Sequence, residues 1–160
     1  MGAFAEEVQT ILCEGLAKQQ PQLEWETEYR VSGTPVDVAG KNNVATVLIE
    51  LEWRRADPAD NTAKLFRHLS NERIEAQEIL VVQVFTNHYE LSDGGFSSKR
   101  KNAEFVGETA ADHFTNLIYE PITLDLDPPK RGGERPAEWR DAVSTTATEV
   151  DGLVHHLTKS

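Results

Sequence analysis

Three carboxylates in two stretches of the chain are spaced for joint chemistry. Glu50 and Glu52 lie in "IELEWRR" (49–55), at the end of an apolar run that begins at Val44. Side chains of an extended strand alternate between faces, so Ile49, Leu51 and Trp53 point one way and Glu50, Glu52 and Arg54 the other. Asp37 sits between Val36 and Val38 in "TPVDV" (34–38). A turn around residues 40–45 joins the two stretches. Pairing centred near residues 43 and 44 sets Asp37 beside Glu50, with the register open to a bulge. Two ionised carboxylates about 5 Å apart repel by roughly 3 kcal/mol at an effective dielectric of about 20. Such a cluster holds a proton, pairs with arginine or binds a divalent cation. All-oxygen donors favour Mg²⁺, Mn²⁺ or Ca²⁺ over zinc. The simpler alternative is a wet strand face on which Glu50 and Glu52 pair with Arg30, Arg54 or Arg55.

The elements that must position these acids are legible. Phe4, Val8, Ile11, Leu12 and Leu16 recur at helical spacing and predict an amphipathic helix over 3–19, ended by Pro21. "LEWETEYRV" (23–31) alternates as a strand with one wet face. "VDVAG" begins a second strand, "GKNN" is a turn, and "VATVLIELEW" (44–53) is a third strand, apolar enough to be covered on both sides. "ADPAD" opens a helix with Asp57 as N-cap and Pro58 at its first position, running to about residue 76. "EILVVQVFT" reads as a central strand, and a loop with Gly94-Gly95 leads to a helix over roughly 97–117. "IYEPITLDL" is an edge strand because of Pro121, and a last helix runs from about 136 to 157. The order α-β-β-β-α-β-α-β-α predicts one α/β domain over 1–160, with a mixed sheet flanked by helices.

Composition excludes several classes. At 160 residues and 39% hydrophobic content the chain can build one real core and is not disordered. No apolar run approaches the roughly 20 residues of a membrane span. The N-terminal stretch lacks a basic signal-peptide region, and the one cysteine, Cys13, rules out an internal disulfide or a cysteine zinc cluster. A cytoplasmic protein without membrane contact is expected. The formal net charge is -11, from 27 acidic and 16 basic residues spread along the chain. That balance fits either a salt-adapted (halophilic) protein, whose self-repulsion is screened, or an ordinary acidic one. It also argues against nucleic-acid binding unless cations gather locally.

An N-terminal helix, a three-strand meander holding D-x12-E-x-E, a helix and an apolar strand together resemble the PD-(D/E)XK nuclease superfamily. The resemblance covers roughly residues 1–90 and rests on "TPVDV", "VLIELEW" and the capped helix "DPADNTAKLFRHL". It implies a restriction-endonuclease-like fold and Mg²⁺- or Mn²⁺-dependent cleavage of DNA. By resemblance, Asp37, Glu50 and the Leu51 carbonyl hold the metal, and Glu52 orients or deprotonates the attacking water. Glu7 is an accessory candidate from the first helix. Two departures stand out. The motif proline is shifted to Pro35, and Glu52 stands where the superfamily usually has lysine. Some restriction endonucleases of the superfamily carry E-x-E and remain active. Lys64 is a conceivable substitute, although its helical position is nearly opposite Phe66 and Leu69. The expected DNA contacts are Arg54, Arg55, Lys99, Arg100 and Lys101, of which the last three open a helix. The alternative function is a catalytically silent nuclease-fold protein serving as a nucleic-acid or protein binding module. Association as a homodimer stays open.

Overall fold

The computed structural model describes residues 2–72 and 77–159. Helix α1 (Ala3–Gln19) leads into strands β1 (Glu24–Val31), β2 (Thr34–Lys41) and β3 (Ala45–Glu52). There follow α2 (Pro58–Leu69), β4 (Glu78–Thr86), a short 3-10 turn at Asn87–Tyr89, α3 (Ser98–Ala111), β5 (Leu117–Leu124) and α4 (Trp139–Lys159). The order is the one expected. The strands form one mixed sheet, β1-β2-β3-β4-β5. β1 and β2 pair antiparallel, as do β2 and β3, and β3-β4-β5 run parallel. β3 is therefore the middle strand, and all eight of its residues are buried.

Each face of the sheet carries two helices. Val47, Ile49 and Leu51 of β3 pack with Val8, Leu12 and Leu16 of α1 and with Val143, Val150 and Val154 of α4. Leu48 of β3 and Ile79 and Val81 of β4 pack with Leu65, Phe66 and Leu69 of α2. By alternation Glu50 and Glu52 point to the α2 side. Trp53, one residue past the strand, is half-buried and packs edge-on to Phe4 with ring centroids 5.1 Å apart.

Local chemistry explains most element ends. Asp57 caps α2, its carboxylate accepting from Asp60 N–H at 3.1 Å with Pro58 in the first turn. Within the described residues α2 ends at Leu69, and the expected extension to about residue 76 falls partly outside them. α3 stops at Ala111 rather than near residue 117. Leu117 already belongs to β5, where it pairs with Ile79, so strand pairing claims residues whose spacing also suited a helix. β5 lies at the sheet edge with Pro121 in it, where a missing N–H costs no ladder bond on the open side.

Clean alternation fails at one place in the hairpin. Val38 faces the α1–α4 core, yet Val36 belongs to the α2 side with Val31 and Tyr29. The switch falls at Glu28, whose φ is 53°, and at Asp37, which the register sets opposite it. A left-handed residue swivels the tip of the β1–β2 hairpin, and the tip leaves β3.

Candidate functional site

The fork between β2 and β3 builds the site. Their ladder reaches Val38↔Ile49, and β2 then continues beside β1 alone. The register carried one step further sets Asp37 against Glu50, as a pairing centred near residues 43 and 44 implies. Asp37 bridges the opening. Its Oδ2 accepts the Leu51 N–H at 2.7 Å, a main-chain donor just past the end of the β2–β3 ladder. The Leu51 carbonyl leaves the strand on the same side as that N–H, hence toward the fork.

Amide side chains surround the acids on the α2 side. Asn61, in the first turns of α2, donates to Glu50 Oε2 at 3.1 Å and to Glu52 Oε1 at 2.6 Å. Gln83 of β4, paired with Glu50 in the ladder, donates to Glu52 Oε1 at 3.1 Å and to Thr62 Oγ1 at 2.8 Å. Tyr119 of β5 donates to Gln83 Oε1 at 2.5 Å, which fixes the orientation of that amide. Arg55 reaches back to Glu52 Oε2 at 3.3 Å from a largely exposed position. On the hairpin side, Gln9 of α1 donates to Glu28 Oε1 at 3.0 Å.

Burial sets the electrostatics. Asp37, Glu50 and Glu52 expose 9%, 6% and 0% of their surface. Desolvation pushes Asp37 up to about 6, against the Leu51 hydrogen bond, with Glu28 and Glu52 adding repulsion and Arg55 relieving some of it. Desolvation and then Asp37 hold Glu50 well above the usual carboxylate range, opposed by Asn61. Burial raises Glu52 too, and its bonds to Asn61, Gln83 and Arg55 oppose the rise. The alternative of a wet strand face paired with arginines thus does not hold: the cluster is inside the protein, and among the described residues only Arg55 reaches it as an ion pair.

Other candidates are placed differently. Glu7 is engaged by Arg135 at 2.5 Å and Arg140 at 3.4 Å, at the start of α4 and the loop before it. Gln9 is the α1 residue whose bond leads toward the acids. Lys64 is exposed on α2, and neither glutamate bonds to it. Arg100 corrects an expectation. It is 3% exposed, stacks on Phe96 at 3.6 Å and Phe85 at 4.6 Å, and bonds to Thr123 and Glu104. The ring faces of two phenylalanines draw this cation inward, where it pins α3 to the sheet instead of meeting a phosphate. Arg54, Arg55, Lys99 and Lys101 are exposed. Arg54 and Lys99 both act on His88, whose pKa burial and these two cations lower, so they share the carboxyl end of the parallel strands with Glu52.

Asn61, Gln83, Glu28 and Tyr119 were not singled out by sequence reasoning, although two of them left a signal. Gln83 is the polar residue in the middle of a buried apolar strand, and a buried amide needs partners. Asn61 precedes Leu65 by one helical turn and Leu69 by two, on the edge of the buried face.

The donor set fits a hard divalent cation. Asp37, Glu50 and the Leu51 carbonyl offer oxygen only, and Asn61 steadies one of the acids. Among the described residues no group of three or more His, Cys, Asp or Glu side chains is arranged to hold a metal ion, so Glu52 does not join Asp37 and Glu50 as a third carboxylate ligand. Two carboxylates and a carbonyl would leave a bound Mg²⁺ most of its coordination to water.

No family model and no curated protein sequence matches the chain. Among solved structures, the chain is similar to a repair endonuclease from Pyrococcus abyssi at 20% identity, with a TM-score of 0.38. The match covers 81% of this chain and 49% of the other, so the chain spans about half the length of that structure. A likeness this distant carries no argument about activity.

Proposed function

We propose that the chain is a divalent-metal-dependent nuclease that cuts phosphodiester bonds in DNA, with its centre at the fork between β2 and β3. The supporting observation is that Asp37 and Glu50 are buried close enough for the charge of one to act on the other, beside the Leu51 amide that Asp37 holds. Charges left there without a cation are costly, as the raised pKa values of all three acids record. When bound, Mg²⁺ or Mn²⁺ supplies an activated water and offsets charge on the phosphate.

The chain's own residues divide the remaining work. Asp37 releases its proton near neutrality, keeps the Leu51 amide in place with one oxygen and leaves the other for the ion. Asn61 fixes the carboxylate of Glu50 through Oε2. Glu52 is the candidate base, but both of its oxygens are engaged and Arg55 covers it. It can take a proton from water only after Arg55 swings off toward solvent or toward a DNA phosphate. Lys99 and Lys101 supply the local positive charge that an acidic protein needs to hold DNA.

The saturation of Glu52 favours the second reading, a catalytically silent binding module. Supercoiled plasmid incubated with Mg²⁺ or Mn²⁺, at low and at molar salt, separates the two. Nicking by the wild type and not by Glu50→Gln supports the nuclease. Binding without nicking under every condition leaves the module.

A further inference from the structure

The sheet face opposite the carboxylates carries a second feature. A cavity of about 760 Å³ lies between the first turn of α1, the segment just after β3 and the loop around residues 129–135. Its wall includes Arg54, Lys130, Arg131 and Arg135 and no acidic side chain. Four of the chain's 16 basic residues therefore meet around one cavity in a protein of net charge -11. Glu7 already pairs with Arg135, which leaves Arg54, Lys130 and Arg131 without a carboxylate partner among the described residues and free to attract an anion.

The individual groups differ in role. Lys130 and Arg131 are exposed and make no ion pair among the described residues. Arg54 donates to the Pro129 carbonyl at 3.2 Å and so ties the loop to the end of β3. Arg135 is held over the Phe4 ring at 4.5 Å and against Glu7, which makes it part of the wall. Phe4 and Trp53 give the cavity an aromatic side. Gly2, the N-cap of α1, has no side chain to satisfy the first N–H groups of the helix, and this turn lines the cavity too. The volume lies within the roughly 300–1,000 Å³ of small-molecule sites.

We propose that this cavity is a separate binding site for a nucleotide unit. The phosphate lies among Lys130, Arg131 and Arg54, and the base lies against Phe4 and Trp53. Cations alone would hold any anion; the aromatic wall beside them selects one that carries a flat ring. The site shares no residue with the carboxylate cluster and does not depend on cleavage.

Titration calorimetry on the full chain, in Glu50→Gln as well as wild type, tests it with three probes: dAMP, deoxyadenosine, and a short single-stranded oligonucleotide carrying a 5′-phosphate. dAMP or the oligonucleotide should bind equally well to both proteins, at least tenfold more tightly than deoxyadenosine, and more weakly as salt rises. The double variant Lys130→Glu/Arg131→Glu, its fold checked by circular dichroism, should lose at least tenfold in affinity. Binding of dAMP assigns the site to free nucleotides; binding of the oligonucleotide alone assigns it to a DNA strand. Failure of both phosphate-bearing probes to bind, or equal binding by the charge-reversed variant, overturns the proposal. So does equal affinity for deoxyadenosine.

Discussion

Asp37 does two jobs that conflict. As an acceptor for the Leu51 amide it is best ionised, while its burial and the neighbouring acids favour the protonated form. The folded pKa of about 6 lies above its ordinary value of 3.8, so between those limits the folded chain holds a proton that the unfolded chain has released. Stability contributed by this group is present at low pH and lost as pH rises through about 6. The metal-free wild type should therefore gain up to about 3 kcal/mol relative to Asp37→Asn on going from pH 7.5 to pH 4. Urea titrations of both proteins across that range measure it, and parallel curves would show that Asp37 does not titrate there. Arg55 acts in the other direction. It lowers the pKa of all three acids, so Arg55→Ala should move the acid limb of Mg²⁺ binding and of any cleavage to higher pH. A pH profile unchanged by that substitution would mean that the guanidinium is no partner of the working site.

At the scale of elements, Glu28 and Gly107 shape the site without belonging to it. Glu28 carries the left-handed φ that swivels the hairpin and opens the fork. Such a conformation costs a non-glycine residue roughly 1–2 kcal/mol. Glu28→Gly should recover about 1 kcal/mol in chemical denaturation beyond whatever Glu28→Gln recovers by removing the charge beside Asp37. If the two variants are equally stable, the backbone there is unstrained. Gly107 lies where α3 crosses the Tyr119 ring, and a Cβ would run into that ring. Gly107→Ala should cost about 1–3 kcal/mol and loosen the Tyr119–Gln83 bond, which amide exchange along β4 would register as lost protection. The sequence pattern carried the element order, the middle strand and the opposition of Asp37 and Glu50, because turn chemistry and alternation are local. It could not carry the swivel at Glu28, the burial of Arg100 between phenylalanines, or the arrival of Asn61 and Gln83 at the acids. Those depend on which helix lands on which strand.

For the whole molecule the governing number is the net charge of -11. A surface that acidic repels itself, and any added salt screens the repulsion, so a rise in melting temperature with KCl says nothing about a metal site. A specific ion must be separated from that background at matched ionic strength. Mg²⁺ bound by the native state alone stabilises it by mass action, about 2.7 kcal/mol at a hundredfold excess over Kd. For a domain of this size that is about 5–10 °C. Under those conditions MgCl₂ should raise the melting temperature of the wild type by several degrees more than KCl does. The excess should vanish in Asp37→Asn and in Glu50→Gln, while both variants keep the full response to KCl. Glu50→Gln should also start from an apo stability equal to or above that of the wild type, because it removes a charge that the fold can hold only with a proton or a cation. Equal MgCl₂ responses in all three proteins would reduce the fork to a buried proton-sharing cluster, and the case for a metal-dependent nuclease would fail with it.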